Sequence, residues 1–304
     1  MAKRDFLRLT DLDRGELLEL VERAAEWKLL GRGGPRPLAH RTIGLVFEKA
    51  STRTRVSFEV AAYQLGGNAM MLSPRDTQLG RGEPIRDTAR VLSRYLDCLV
   101  VRTFGHEKIE EMARWASVPV VNALTDATHP CQVLADLLTV AERFGADALS
   151  RGPLHVAWVG DGNNMAASWL EACALLGFEL RLACPEGYDP DPALVARTHG
   201  KAIVVRDPRA AAEGAHVVNT DVWASMGQEG EADVRQRAFA GYIVDEALMA
   251  RARPEAMVLH CLPAHRGEEI TEGVLEGPRS AVFDEAENRL HAQKALLELL
   301  LAPR

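Results

Sequence analysis

The sequence has no excess of basic residues. Its 36 Lys and Arg side chains against 43 Asp and Glu give a formal net charge of −7, and only six of the basic residues are Lys. A basic surface for nucleic acid is therefore not expected. No apolar run approaches the ~20 residues that a membrane-spanning helix needs, and no apolar segment follows the two basic residues near the start, as a secretory signal would require. We expect a cytoplasmic protein that binds neither nucleic acid nor a membrane.

Cysteine is also scarce. The five cysteines are widely spaced and form no Cys-x-x-Cys pair, which argues against a disulfide framework or a structural zinc site. Apolar residues at 47% and charged residues at 26% are ordinary for a globular protein. A chain of 304 residues is long enough for two domains, each with its own core.

Short apolar runs alternate with helical patterns along the whole chain. This alternation predicts an α/β fold with two domains, each a parallel sheet flanked by helices. We place the domains at 1–144, joined by the C-terminal helix at about 286–304, and at 145–285. The predicted strands are 42–47, 69–72, 98–102, 119–122, 155–160, 179–184, 202–206, 216–221 and 257–261. The predicted helices are 17–30, 53–65, 86–96, 131–144, 166–176, 192–199 and 286–301.

Ligands of such folds collect at the carboxyl ends of the strands, and the unusual residues of this chain follow strands. The first group is Ser51-Thr52-Arg53-Thr54. Ser51 can cap the helix that begins there, and the free N–H groups of its first turn, with the hydroxyls and Arg53, form a potential oxyanion site. An ordinary capped helix with solvated arginines explains the same residues, and no Walker motif is present.

Arg102 closes the third predicted strand, and His129-Pro-Cys-Gln132 follows the fourth. His129 and Gln132 share one helix face, and both can donate hydrogen bonds to a carbonyl or phosphoryl oxygen. An isolated His before a Pro is more often a surface or capping residue. Only the combination of Arg102, His129 and Gln132 at strand ends therefore indicates a ligand site.

The second half of the chain has a similar set. Gly160-x-Gly162 suggests a dinucleotide site, but Met165 replaces the third glycine and no acidic ribose ligand follows the next strand. Asn163 and Asn164 offer amides to a polar ligand. Asp221 is a natural partner for an ammonium group or a turn residue. Cys261 is followed by Leu262-Pro263, which can hold a cis peptide, although a buried structural thiol is the commoner role for such a cysteine.

Taken together, these segments closely resemble the aspartate/ornithine carbamoyltransferase family over almost the full length. Ser-Thr-Arg-Thr, Arg102 and His-Pro-Cys-Gln are shared across that family, which implies carbamoyl phosphate as a substrate. Asp221-x-x-x-Ser-Met-Gly and His-Cys-Leu-Pro are typical of its ornithine-specific members. The resemblance implies transfer of a carbamoyl group to the δ-amino group of L-ornithine, in a cleft between the domains and without a metal or redox cofactor.

The resemblance also implies a role for each matching residue. For carbamoyl phosphate these are Ser51, Thr52, Arg53, Thr54, Gln78, Arg102, His129, Gln132, Cys261, Leu262 and Arg289. For ornithine they are Asn163 (with Asn164 as the alternative), Asp221, Ser225 and Met226. Among them Thr54, Arg102, His129 and Cys261 are the implied catalytic residues. Gln78 lies on a loop that reaches a neighbouring subunit in this family, which implies a homo-oligomer, a trimer or an assembly of trimers.

Three alternatives remain at this point. The acceptor can be aspartate, putrescine or N-acetylornithine, although the loop 73–83 lacks the lysine that an aspartate-specific enzyme typically carries. An NAD-linked oxidoreductase depends on Gly160-x-Gly162 alone. A sensor that binds carbamoyl phosphate without turnover would not need the full set of hydrogen-bond donors.

Overall fold

The computed structural model describes residues 3–73, 82–224, 227 and 229–302, and for residues 229 and 232 it describes the backbone alone. The chain divides into two compact units. Unit 1 comprises Met1–Leu138 and Glu287–Arg304, and unit 2 comprises Thr139–Ala286. The predicted division lay at 144/145 and 285/286. The substrate assigned to each domain stays a prediction.

Unit 1 contains a four-stranded, fully parallel sheet in the order β2-β1-β3-β4. The central strand β3 is buried along its whole length, as expected for a parallel sheet covered on both faces. The strands are β1 (Thr42–Phe47), β2 (Asn68–Leu72), β3 (Cys98–Arg102) and β4 (Val120–Leu124). The helices are α1 (Arg14–Leu30), α2 (Thr52–Gln64), α3 (Ile85–Leu92) and α4 (His106–Trp115). Helix α5 (Pro130–Phe144) begins in unit 1 and continues into unit 2.

Unit 2 contains a five-stranded parallel sheet in the order β7-β6-β5-β8-β9. Its strands are β5 (His155–Val159), β6 (Glu179–Ala183), β7 (Ala202–Val205), β8 (Val217–Thr220) and β9 (Met257–His260). Its helices are α6 (Asp147–Ser150), α7 (Asn164–Leu176), α8 (Pro192–Ala196), α9 (Pro208–Ala212), α10 (Ala232–Ala238), α11 (Glu246–Met249) and α12 (Glu272–Leu275). The last helix, α13 (Val282–Leu301), begins here and continues into unit 1.

The predicted α/β class and all nine predicted strands are confirmed, with ends that differ by one or two residues. Helix α4 was not predicted, because the charges in His-Glu-Lys-Ile-Glu-Glu-Met-Ala-Arg-Trp obscure its apolar face. That face is nevertheless real, since Ile109, Met112 and Ala113 are all buried in the core of unit 1.

Helix α13 packs on α1 through polar contacts as well as apolar ones. Trp27 Nε1 donates to Glu298 Oε2 at 2.8 Å, and Lys28 Nζ donates to Asn288 Oδ1 at 2.8 Å. The fully buried Lys294 donates to the carbonyl of Gly31 at 3.0 Å, and burial lowers the pKa of its ammonium group. These contacts fix the rotation of α13 and thereby the direction in which Arg289 points.

Among the described residues, no helix is both long and apolar enough to cross a membrane.

Candidate active site

The start of helix α2 has the predicted cap. The Ser51 hydroxyl accepts a hydrogen bond from the Thr54 N–H at 3.2 Å, so Ser51 is the N-cap residue of α2. Thr54 is 1% exposed, whereas Thr52 is exposed and Arg53 is half-buried. The N-terminus of a helix carries partial positive charge. The segment therefore combines a helix terminus, hydroxyl groups and a guanidinium at the carboxyl end of β1.

Arg289 connects three parts of unit 1. From α13 it donates to Thr54 Oγ1 on α2 at 2.7 Å and, through a short hydrogen bond, to Gln132 Oε1 on α5. The same guanidinium lies 3.4 Å from His129 Nε2. Arg289 is only 2% exposed, so the sequence-predicted residues Thr54, His129, Gln132 and Arg289 form one buried cluster, which we call the anion cluster.

His129 is uncharged within the anion cluster. Burial, followed by the guanidiniums of Arg289, Arg102 and Arg53, holds the pKa of its imidazole well below the usual 6.5. A neutral imidazole has one N–H to donate and one nitrogen that accepts. His129 is therefore suited to donate to an oxygen that gains negative charge during a reaction, while the guanidiniums supply the fixed positive charge.

Gln132 is held from two sides. Its Nε2 donates to Asp136 Oδ1 at 2.9 Å, and its Oε1 accepts from Arg289. Both Gln132 and Asp136 are fully buried. Gln132 Nε2 is therefore bound to Asp136 in this structure, and the role of Gln132 toward a ligand stays a prediction. The prediction did not include Asp136, although its position four residues after Gln132 on a helix was visible in the sequence.

The segment that carries His129 is fixed by buried contacts behind it. Asn122 Nδ2 donates to Thr128 Oγ1 at 3.0 Å, and Cys131 Sγ donates to the Asn122 carbonyl at 3.2 Å. Burial raises the pKa of the Cys131 thiol to about 12, so this cysteine is structural. Arg102, 6% exposed, ends β3 opposite Phe47 of β1, at the same end of the sheet as Ser51.

Unit 2 holds a second cluster, which we call the acidic cluster: Asn163, Asp221 and Cys261. Asn163 Nδ2 donates to Asp221 Oδ2 at 2.9 Å, and Cys261 Sγ donates to Asp221 Oδ1 at 3.1 Å. Asp221 is 7% exposed. The three residues follow β5, β8 and β9, which are neighbours in the sheet. The sequence offered no partner for Cys261, and the fold supplies Asp221.

The residue pair Cys261–Leu262 is positioned by a histidine. His260 Nδ1 accepts from the Leu262 N–H at 2.9 Å, and its Nε2 lies 3.0 Å from Glu269 Oε1. Because Nδ1 accepts, the ring proton is on Nε2 and is donated to Glu269. Leu262 has a φ of +57°, and the Leu262–Pro263 peptide is cis, as the sequence allowed. Glu269 was not predicted, because nothing in its spacing from His260 indicates a contact between the two residues.

A buried ion pair lies beside the acidic cluster. Arg235 of α10 contacts Asp161 Oδ2 at 2.6 Å and donates to the Trp223 carbonyl at 2.8 Å. Asp161 precedes Asn163 in the turn after β5, and Trp223 follows Asp221. Arg235 therefore joins the two segments that supply Asn163 and Asp221. It was not predicted, because an arginine on a polar helix carries no distinguishing pattern.

The two glycines after β5 have structural roles, since Gly160 has a φ of +140° and Gly162 packs against backbone. A side chain at Gly162 would meet the backbone nitrogen of Pro190 at 2.2 Å, so only glycine fits there. Asn163 Oδ1 accepts from the N–H groups of Met165 and Ala166, which occupies the donors that a dinucleotide site leaves for the pyrophosphate. The local structure thus explains Gly160-x-Gly162 without a nucleotide.

Asp221, His260 and Cys261 offer an oxygen, a nitrogen and a sulfur atom within 4.8 Å of one another. A set of this kind has the composition of a transition-metal site. Both ring nitrogens of His260 already have hydrogen-bond partners, however, and the Cys261 thiol donates to Asp221. The polar atoms of these three side chains are therefore already hydrogen-bonded to other groups of the protein.

Three predicted site residues, Gln78, Ser225 and Met226, lie outside the described residues. Their roles stay predictions.

The geometry described so far defines an α/β protein with a buried, positively charged cluster in unit 1 and a cluster around the carboxylate of Asp221 in unit 2. Two family models match the chain. Residues 4–142 match the carbamoyl-P binding domain of aspartate/ornithine carbamoyltransferase, and residues 153–300 match its Asp/Orn binding domain.

Individual relatives agree with the family models. The ornithine carbamoyltransferase of Pelobacter propionicus is 53% identical over 304 residues, covering 98% of each chain. The crystal structure of ornithine carbamoyltransferase from Thermus thermophilus is 46% identical with a TM-score of 0.90, covering 99% of this chain and 100% of that one. The structure of the Pyrococcus furiosus ornithine carbamoyltransferase is 47% identical with a TM-score of 0.92, covering 99% and 97%. This chain belongs to the aspartate/ornithine carbamoyltransferase family.

Proposed function

We propose that this protein is an enzyme that transfers the carbamoyl group of carbamoyl phosphate to the δ-amino group of L-ornithine. The products are L-citrulline and phosphate. The observation that carries the proposal is the pair of clusters with opposite charge, each built from the residues that match the family. The names of the relatives, all ornithine carbamoyltransferases, support the choice of acceptor.

In this proposal the phosphate is bound by Ser51, Thr52, Arg53 and Thr54 at the start of α2, together with Arg289. The helix terminus and two guanidiniums complement a dianion. Arg289 contacts Thr54 and Gln132 and lies beside His129, so phosphate that reaches Arg289 brings the carbamoyl group next to His129 and Gln132.

The carbamoyl oxygen is the atom that gains negative charge in the tetrahedral transition state. Arg102, Thr54 and the neutral His129 are the proposed donors to it. Loss of one such donor typically costs about 10²–10³ in rate. The carbamoyl NH₂ group needs an acceptor instead. Gln132 Oε1 is the proposed acceptor, because the nitrogen of the same amide donates to Asp136.

The acceptor substrate is bound, in this proposal, by the acidic cluster. The Asp221 carboxylate pairs with an ammonium group of ornithine, with Asn163 and the predicted Ser225 and Met226 contributing to the amino-acid end. The side chain of a lysine-like amine has an ordinary pKa of about 10.4, so the amine must lose a proton before it attacks. The carboxylate of Asp221, to which the Cys261 thiol donates at 3.1 Å, is the proposed acceptor of that proton. Cys261 and Leu262 line the predicted meeting place of the two substrates.

The same proposal includes a homo-oligomer, a trimer or an assembly of trimers, because Gln78 is predicted to act in a neighbouring subunit. Sedimentation equilibrium of the purified protein tests this directly. A mass of three chains, or a multiple of it, is expected, and a monomer with full activity contradicts it.

An acceptor panel tests the reaction. Purified protein is supplied with carbamoyl phosphate and, in parallel, L-ornithine, L-aspartate, putrescine or N-acetyl-L-ornithine, and the ureido product is measured. We expect citrulline to form fastest by a wide margin, with one phosphate released per citrulline. Faster turnover of another acceptor overturns the ornithine assignment. Binding of carbamoyl phosphate without turnover of any acceptor favours a sensor and overturns the enzymatic proposal.

A further inference from the structure

The terminal amide of Gln132 carries a donor NH₂ group and an acceptor oxygen in different directions, so its function depends on which way the amide faces. Asp136 lies one turn further along α5 and accepts from Gln132 Nε2 at 2.9 Å. Arg289 donates to Gln132 Oε1. All three side chains are at most 2% exposed.

The chemistry of these neighbours leaves one orientation for the amide. A guanidinium has donors only, and a carboxylate accepts. With the amide reversed, the NH₂ group would face a guanidinium and the oxygen would face a carboxylate, and two buried hydrogen bonds would be lost. The structure therefore presents the Gln132 oxygen toward Arg289 and its nitrogen toward Asp136.

Arg289 alone does not keep this orientation during turnover. The proposed function requires its guanidinium to bind phosphate, which competes with Gln132 for the same N–H groups. In the proposed mechanism Asp136 does not bind phosphate or any other part of the substrates. When phosphate accepts hydrogen bonds from Arg289, the carboxylate of Asp136 still accepts from the nitrogen of Gln132.

We propose that Asp136 is a positioning residue that keeps the Gln132 oxygen directed at the carbamoyl NH₂ group. The site thereby selects a carbamoyl group over an acyl group of the same shape. An acetyl group has a methyl where carbamoyl has NH₂, and a fixed acceptor distinguishes the two. This inference rests on the proposed function, because it assigns the carbamoyl group to the anion cluster.

A merely structural role is the competing explanation, because Gln132 and Asp136 are an i, i+4 pair within one helix. Such pairs add little to the stability of a helix. A structural loss would also weaken every ligand equally, whereas a change in amide orientation weakens only ligands with an NH₂ group. The two explanations therefore differ in relative rather than absolute affinity.

The experiment uses two stable phosphonates. Phosphonoacetamide has an NH₂ group where acetonylphosphonate has a methyl group, and the two are otherwise alike. Calorimetric titration of the wild-type protein is expected to show about a tenfold preference for phosphonoacetamide, the usual effect of one buried hydrogen bond. In Asp136→Ala the preference is expected to fall to about twofold or less, while the affinity for inorganic phosphate stays within about twofold of wild type.

Two further variants complete the design. Asp136→Asn conserves volume, but its amide can donate to Gln132 as well as accept, so the preference is expected to fall in this variant too. Asp136→Asn also serves if Asp136→Ala does not fold. Asp97→Asn is the matched control, because Asp97 accepts from the Thr42 N–H at 2.8 Å at the opposite end of the same sheet. It is expected to retain the wild-type preference.

The outcomes separate this inference from the proposed function. A full preference for phosphonoacetamide in both Asp136 variants overturns the positioning role and leaves the carbamoyl site intact. Equal weakening of phosphonoacetamide, acetonylphosphonate and phosphate also overturns it, in favour of a structural role. A wild-type protein that shows no preference overturns the carbamoyl assignment itself, and the positioning role with it.

Discussion

The anion cluster of unit 1 and the acidic cluster of unit 2 differ in charge and in construction. In unit 1, guanidiniums surround a neutral imidazole. One of them belongs to Arg289, which contacts Thr54 although the two residues are 235 positions apart in the sequence. In unit 2, one carboxylate is held by an amide and a thiol that follow neighbouring strands. Under the proposed function, this difference in charge matches unit 1 to a phosphate dianion and unit 2 to an amine.

The most damaging change is expected in unit 1. Arg289→Met removes the charge that links Thr54, Gln132 and His129, so kcat/KM for carbamoyl phosphate is expected to fall by about 10³-fold or more. Initial rates with ornithine held constant measure it. Arg32→Met, which removes an exposed arginine of the same unit, is the control and is expected to be as active as wild type. Activity within tenfold of wild type in Arg289→Met contradicts the assignment of phosphate to this cluster.

A smaller effect is expected in unit 2. Cys261→Ala removes one donor to Asp221, and kcat/KM for ornithine is expected to fall by about tenfold, as for the loss of one hydrogen bond to a charged group. The KM for carbamoyl phosphate provides the comparison within the same variant.

Cys173→Ala is the matched control for that change. Cys173 is a buried thiol of unit 2 that donates to the Phe178 carbonyl. Its loss is expected to lower the free energy of unfolding without altering the kinetics toward ornithine. If both alanine variants lower only stability, Cys261 is a structural residue.

The smallest effect concerns pH and stability. The pKa values of His106, His129, His155, His216 and His291 are all lowered, in each case first by burial. As the pH falls through about 6.5, the unfolded chain gains protons that the folded chain does not bind, so the free energy of unfolding falls.

Urea unfolding at pH 5.5 and at pH 7.5 tests this expectation. His129→Gln removes one such proton, so the stability lost between pH 7.5 and pH 5.5 is expected to be smaller by about 1.4 kcal/mol in total. An unchanged slope in His129→Gln, or a wild-type protein more stable at pH 5.5 than at pH 7.5, contradicts the neutral state of His129.

Part of the fold and part of both clusters could be predicted from the sequence. Strands are bounded by local patterns, so the nine strands and the cap at Ser51 could be predicted. Arg102, His129 and Asp221 could be singled out as candidates because a parallel sheet gathers its carboxyl ends at one edge. Their predicted roles come from the resemblance to the family.

Pairings across the chain could not be predicted from the residues alone. Nothing local states that α13 docks on α1 and turns Arg289 toward Thr54, or that Arg235 meets Asp161 and His260 meets Glu269. Such partners depend on tertiary packing. Asp136 could be predicted only in part. Its position four residues after Gln132 is visible in the sequence, but its effect on the orientation of the Gln132 amide depends on where Arg289 lies.

The central claim, that unit 2 recognises the amine and unit 1 the phosphate, is tested most directly with Asp221→Asn. Initial rates are measured over a grid of both substrates for this variant, for wild type and for Asp191→Asn. The last variant alters an exposed helix cap of unit 2, a position where Asn serves as well as Asp.

Asp221→Asn is expected to raise the ornithine KM by about 30-fold, the effect of losing a buried charge partner worth about 2 kcal/mol. The carbamoyl phosphate KM is predicted to stay within about twofold of wild type, and Asp191→Asn is predicted to match wild type for both substrates. An unchanged ornithine KM in Asp221→Asn, or an equal rise in both KM values, would contradict the division of the two reactants between the two units.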